Sequence, residues 1–389
     1  MLNEYHKIGV KRLIISTLCV LSLYACKSPG LQPIYEDCKR ERIDLDQKQE
    51  LSMYELFSAM EIIPLETTKA SVLGNPLRKI VVNKGLFYVL DYKQDAIVVF
   101  DSQGKYLRKI DKYGNGPEEY TLLYDFGFNR FDGNLELMSA AGYINVYDSL
   151  GVTYKHTIKV PSYIRAVSYF ANMAPDRYLF FSTRKKEEKK LLIYDRKEDK
   201  IVSETYSIPE FIFFNTPYHH SYSPFYVYAD TVCFVQSYNG DVFSMGQDGE
   251  LTPRYFWDFM DYNFDISTLK EEPIEFYVKH QSTVGANYAT SFLSYGENSK
   301  YYITSFRLRK KIHHLIIDKA NGRHFVFNTF KEGGVCFPLS MDETAVYFYA
   351  SPSELDIAVN PNTLNIENKQ RYDAVQPDDN PIIIKYTFK

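Results

Sequence analysis

The chain has 389 residues, with 45 Lys and Arg against 49 Asp and Glu and a net charge of −4, spread along its length in a way that argues against a nucleic-acid surface. Aromatic residues make up 16% of it, 34 Tyr and 27 Phe against a single Trp, a bias that suits pleated, half-buried strands. Beyond Cys26 only Cys38, Cys233 and Cys336 follow, so no disulfide framework is implied.

The N-terminus reads as a targeting segment. Lys7, Lys11 and Arg12 give a positive start, and Leu13 to Leu23 is an apolar run too short to span a bilayer. It ends in Leu23-Tyr24-Ala25-Cys26, which resembles the bacterial lipoprotein box, with Cys26 as the acylated residue of the mature chain. Residues 1–25 are then a signal peptide and residues 26–50 a polar tether between lipid and domain. The domain spans residues 51–389. It opens with a short amphipathic stretch, Leu51 to Ala59, and a strand, Met60 to Leu65, that has no hairpin partner beside it. Pairing that strand with the end of the chain would close a ring and remove an exposed edge.

The stretch Phe87 to Ile110 is the unit that the rest of the chain repeats. Two apolar runs, Phe87 to Leu90 and Ala96 to Phe100, lead into the turn Asp101-Ser-Gln-Gly104, and Tyr106 to Ile110 leaves it as a third strand. Asp101 can bond its own backbone two residues on, and Gly104 can take the positive φ that closes the hairpin. The same unit returns at Val146-Tyr-Asp148, Ile193-Tyr-Asp195, Met245-Gly-Gln-Asp248 and Ile317-Asp318. A hairpin recurring roughly every 47 to 70 residues is the signature of a propeller. The fold expected is all-β, a six-bladed β-propeller closed by an N-terminal strand, with short helical insertions. Its blades run about Leu77 to Ile110, Phe126 to Val160, Ala166 to Ile208, Phe225 to Trp257, Tyr301 to Phe330, and Ala345 to Phe388. Arg184 to Lys190 forms a charged hairpin tip, Asp265 to His280 an insertion between the fourth and fifth blades, and Ser353 to Tyr372 a partly helical interruption of the sixth.

Three stretches carry a family resemblance. Ile110-Asp-Lys-Tyr-Gly114-Asn-Gly116-Pro117-Glu118-Glu119-Tyr120, the opening Glu61-Ile-Ile-Pro-Leu-Glu66 and the ending Asp379-Asn-Pro-Ile-Ile-Ile-Lys385 together look like the six-bladed propeller lipoproteins of Bacteroides-type gut bacteria, distant relatives of NHL-repeat propellers. In that family the loop reads Gly-x-Gly-Pro-Gly-Glu-Tyr, so Glu118 stands here in place of a glycine. The resemblance implies the fold and an outer-membrane location, periplasmic or surface-exposed. It brings no catalytic residues with it.

Candidate ligand contacts are few. His219-His220 and His313-His314 are adjacent pairs, and neighbours on a strand point to opposite faces, so neither makes a metal clamp. No metal or cofactor is expected. The inter-blade loops around Tyr120, His219, His220 and Tyr222, and around Arg307 and Arg309, are richest in groups that stack on sugars or bind carboxylates, and they are expected at the channel mouth. The reading is a noncatalytic binding or scaffold module of the envelope, monomeric, facing a glycan or protein partner. The alternative is a polysaccharide-acting enzyme, hydrolase or lyase, with site residues gathered from several blades.

Overall fold

The computed structural model describes residues 40–389 apart from 48–49, 75–78, 140–141, 162–166, 183–188, 208–222, 237–238 and 266–285. Cys26 with its signal segment, the Arg184 tip, His219, His220, Tyr222 and nearly all of the Asp265 to His280 insertion lie outside the described residues. The chain begins with β1 (Glu41–Arg42), α1 (Met53–Leu56) and β2 (Phe57–Pro64). Blade one is β3 (Lys79–Asn83), β4 (Leu86–Asp91), β5 (Ala96–Phe100) and β6 (Tyr106–Ile110). Blade two is β7 (Leu123–Phe128), β8 (Leu135–Ser139), β9 (Tyr143–Tyr147) and β10 (Tyr154–Lys159). Blade three is β11 (Val167–Ala174), β12 (Arg177–Ser182), β13 (Lys189–Asp195) and β14 (Lys200–Ser207). Blade four is β15 (Phe225–Tyr228), β16 (Thr231–Val235), β17 (Val242–Met245) and β18 (Leu251–Tyr255), after which comes the short β19 (Trp257–Asp258). Blade five is β20 (Thr290–Glu297), β21 (Tyr301–Leu308), β22 (Lys311–Asp318) and β23 (Arg323–Phe327). The chain ends with β24 (Ser340–Met341), β25 (Ala345–Ala350), α2 (Leu355–Ala358), α3 (Ile366–Ala374) and β26 (Ile382–Phe388).

The sixth blade is ordered β24-β25-β26-β2, so the early strand closes the ring as expected. It pairs antiparallel with β26, Ile62 opposite Ile384 and Ile63 opposite Ile383. Its outer edge is covered too. Asn368 of α3 accepts from the Ile62 amide at 2.9 Å and donates to the Met60 carbonyl at 2.7 Å, and Arg371 donates to the Ile62 carbonyl at 3.0 Å, replacing ladder bonds that a bare edge would leave open.

The apolar runs of β4 and β5 are continuous rather than alternating because both faces of each blade are packed. Phe87 and Val89 point into the core shared with blade six, Tyr88 and Leu90 into the core shared with blade two. The same division holds around the ring, which carries six hydrophobic layers, one between each neighbouring pair of blades. The recurring Asp closes the turn between the third and fourth strands of blades one to five: Asp101, Asp148, Asp195, Asp248 and Asp318 each accept from an amide two residues on. Gly104 is required twice over, by a φ of 80° and because a Cβ there would lie 2.2 Å from the Pro64 carbonyl oxygen.

Three boundaries differ from expectation. Blade five begins at Thr290 rather than Tyr301, since β20 interleaves small and polar residues, Ser291, Ser294 and Gly296, among its buried positions and shows no apolar run. Blade six begins at the two-residue β24, too short to show any period. The end of the tether is also part of the folded body. β1 pairs in parallel with β19, and Ile43 and Leu45 are buried in the layer between blades four and five.

Candidate functional site: the central channel

The first strand of each blade lines the axis, with one edge paired and the other facing the channel. Unpaired backbone groups on such an edge are costly when they are shielded from water. Side chains of neighbouring blades supply several of the missing bonds. Lys79 of β3 donates to the Phe126 carbonyl of β7 at 2.6 Å, and Asp125 of β7 accepts from the Phe170 amide of β11 at 3.2 Å. Arg130, just past β7, donates to the Asn172 and Met173 carbonyls at 3.1 and 2.9 Å and to the Asp230 carbonyl at 2.7 Å. The channel wall is thus stitched from blade to blade.

What remains open is a cavity of about 310 Å³, within the small-molecule range. Its wall combines half-buried aromatic rings, Tyr124, Phe128, Tyr226, Tyr295 and Tyr349, with Lys79, Asp125, Arg130 and Glu297. The carboxylates described in or beside it, Asp125, Glu136 and Glu297, are all engaged. Asp125 pairs with Lys79 at 2.7 Å. Glu136 accepts from Asn129 at 2.8 Å, Asn172 at 2.9 Å and Tyr178 at 2.8 Å, and burial pushes its carboxyl upward against these three bonds. Glu297 is the most heavily bonded. Tyr226 and Tyr255 donate to it at 2.7 and 2.9 Å, Arg254 binds both its oxygens, and Lys319 stands at 2.7 Å. Burial alone would raise its pKa, but the Arg254 and Lys319 bonds outweigh that and hold it below the ordinary carboxylate value. Arg254 and Lys319 also sit over the Tyr228 ring, at 4.7 and 3.6 Å from its centroid.

Of the residues singled out in the sequence, the three that are described, Tyr120, Arg307 and Arg309, lie elsewhere. Tyr120 is fully buried between blades one and two, with its hydroxyl donating to the Asp95 carbonyl at 2.7 Å; it is a core residue of the motif loop, not a mouth residue. That loop is a strut. Glu119 accepts from the Gly116 amide at 2.7 Å, and Thr157 and Asn145 of blade two bond the Pro117 and Glu119 carbonyls at 3.4 and 3.1 Å. Glu118 is not among the residues with left-handed backbone, so the loop holds it without the strain a glycine position would impose. Arg307 is exposed on β21, and Arg309 occupies the β21–β22 turn at φ 52°, within blade five rather than in an inter-blade loop. Arg309 binds Asp46 at 3.4 Å and stacks on Tyr262 at 4.8 Å. None of the three lines the cavity. The His313-His314 pair does split across the sheet: His313 stacks on Phe306, while His314 is buried and bonded to Ser305 at 2.8 Å. Among the described residues no group of three or more His, Cys, Asp or Glu could hold a metal ion, and no helix is long and apolar enough to cross a membrane.

The Glu297 cluster escapes sequence reasoning because its members come from four separated segments, residues 226, 254–255, 297 and 319, and no local spacing joins them.

No curated protein matches the sequence. In fold the chain is similar to a protein from Bacteroides fragilis NCTC 9343 that is named as exported, with 15% identity and a TM-score of 0.70 over 90% of this chain and 98% of that one. It is also similar to a member of the DUF4221 family from Bacteroides vulgatus ATCC 8482, with 9% identity and a TM-score of 0.51 over 86% and 97%. A family model described as a domain of unknown function, DUF4934, matches residues 40–387, β1, closing strand and all six blades together, and the chain belongs to that family.

Proposed function

We propose that this protein is an envelope lipoprotein, acylated at Cys26, whose propeller is a noncatalytic module that receives part of a glycan or a partner protein in its central channel. The observation that carries the reading is the state of the channel carboxylates. Asp125, Glu136 and Glu297 spend their oxygens on internal donors, whereas glycoside cleavage needs two carboxyls free to face the scissile bond. The half-buried aromatic rings make up much of the wall, and rigid rings in a concave, mostly apolar wall suit the face of a sugar or a side chain. The apolar run ending at Cys26 and the exported name of the Bacteroides fragilis relative support the envelope location.

The test is a glycan and peptide binding screen on residues 40–389, with product analysis of every hit. Binding without conversion is the expected result. Conversion of a bound polysaccharide would replace this reading with the enzymatic one. In parallel, palmitate labelling of the full-length protein in a bacterial host should disappear in Cys26→Ser, and labelling that persists would remove the anchor.

A further inference from the structure

We propose that the end of the propeller at which the inner strands begin rests on the membrane that holds the Cys26 lipid, with exposed loop tips around blade one as its apolar contact. This orientation rests on the lipoprotein reading.

A strap formed by residues 40–46 ties the tethered end of the chain to the propeller. Its β1 pairs with β19, Glu41 opposite Trp257 and Arg42 opposite Asp258. Arg40 reaches the Asp241 carboxylate at 3.3 Å and the Trp257 carbonyl at 3.1 Å. Asp241 lies at the β16–β17 turn and Trp257 in the connection that leads on toward β20. In an up-and-down blade the turn between the second and third strands and the start of the first strand share one end, so the strap is fixed on that end. Arg40 is fourteen residues from Cys26. A chain of that length spans about 20 Å as a coil and at most about 50 Å when stretched. The shortest path from lipid to propeller therefore leads to this end.

Exposed apolar tips lie on the opposite side of the ring. Tyr92 in the β4–β5 turn is 39% exposed, Val72 before β3 48%, and Tyr113 and Leu122 in the connection to blade two 63% and 41%. They belong to one assembly. Gln94 donates to the Val72 carbonyl at 2.8 Å, and Asp95 receives the Tyr120 hydroxyl at 2.7 Å and the Leu123 amide at 3.3 Å. These four tips share the end that carries the strap, and in a ring of six blades, blade one stands opposite blade four. Lipid tether and apolar tips thus pin one face at opposite sides, which holds that face parallel to the bilayer. Tyr and aliphatic tips suit the headgroup region, where a ring can keep its hydroxyl wet. The other end of the channel, flanked by Arg130, is then the approach for a soluble ligand.

The test uses the full-length acylated protein in liposomes containing a nitroxide-labelled lipid. A fluorophore is placed at Tyr113→Cys or, for comparison, at Phe131→Cys in the β7–β8 turn of the opposite end, both in a Cys38→Ser background. Quenching is expected to be several-fold stronger at position 113, and the double variant Arg40→Ala, Ile43→Ala, which frees the strap, is expected to narrow the difference. A difference that this variant leaves untouched overturns the part assigned to the strap. Equal quenching at both positions, or stronger quenching at 131, in protein that floats with the liposomes overturns the orientation and leaves the anchor standing. Protein that does not float, or floats equally as Cys26→Ser, overturns the lipoprotein reading and the orientation with it.

Discussion

Two buried acids show how neighbours decide the sign of a charge's contribution. Glu297 sits among two cations and two phenols, so its folded pKa lies below the ordinary value. Its stabilisation is present above that ordinary carboxylate range and is lost as pH falls through the depressed folded value. Glu297→Gln leaves Arg254 and Lys319 without their carboxylate, and breaking a buried pair in this way costs about 3–5 kcal/mol; chemical denaturation should register the loss. Asp241 behaves in the opposite way. Burial outweighs Arg40 and raises its pKa from 3.8 to about 6. A raised acid favours the folded state most at low pH, and this contribution fades as pH rises through about 6. Asp241→Asn should therefore flatten the stability profile between about pH 4 and 6, and a wild-type slope that persists in the variant would show that another group controls it. Neither acid can be singled out in the sequence, because burial and partners are products of the fold. The turn aspartates can, because Asp101 and its counterparts act on amides two residues away.

At the scale of elements, what is legible in the sequence follows from local chemistry. Turns fixed by Asp and Gly and runs such as Ala96 to Phe100 announce hairpins, and the unpaired strand before Pro64 announces closure. β20 is hidden by its serines and glycine, β24 by its length, and the strap by polar neighbours around Ile43 and Leu45. The role of α3 is equally hidden, since an exposed-looking polar helix shows its purpose only when Asn368 meets the edge of β2. Asn368→Ala should cost about 1–3 kcal/mol by leaving two backbone groups of that edge unbonded, which a urea titration can read. Removing the chain through Thr68 removes β2 itself and leaves the outer edge of β26 unpaired. That truncated domain should melt well below residues 40–389, and equal melting temperatures would contradict closure by β2.

At the scale of the whole molecule, six packed layers hold the blades as one ring, and the side chains that bridge the inner edges also shape the cavity at its axis. The rim residues Arg307 and Arg309, chosen in the sequence for their charge, lie away from that cavity, which is built instead by the inner strands. The most direct measurement is the affinity of a hit from the glycan and peptide screen for three proteins: the wild-type domain, Tyr124→Ala in the channel wall, and the double variant Arg307→Ala, Arg309→Ala on the rim. Channel binding predicts at least a roughly tenfold weakening for Tyr124→Ala, about 1.4 kcal/mol, in a domain that still unfolds cooperatively, and no effect from the rim variant. Binding that survives Tyr124→Ala and is lost in the rim variant would contradict it.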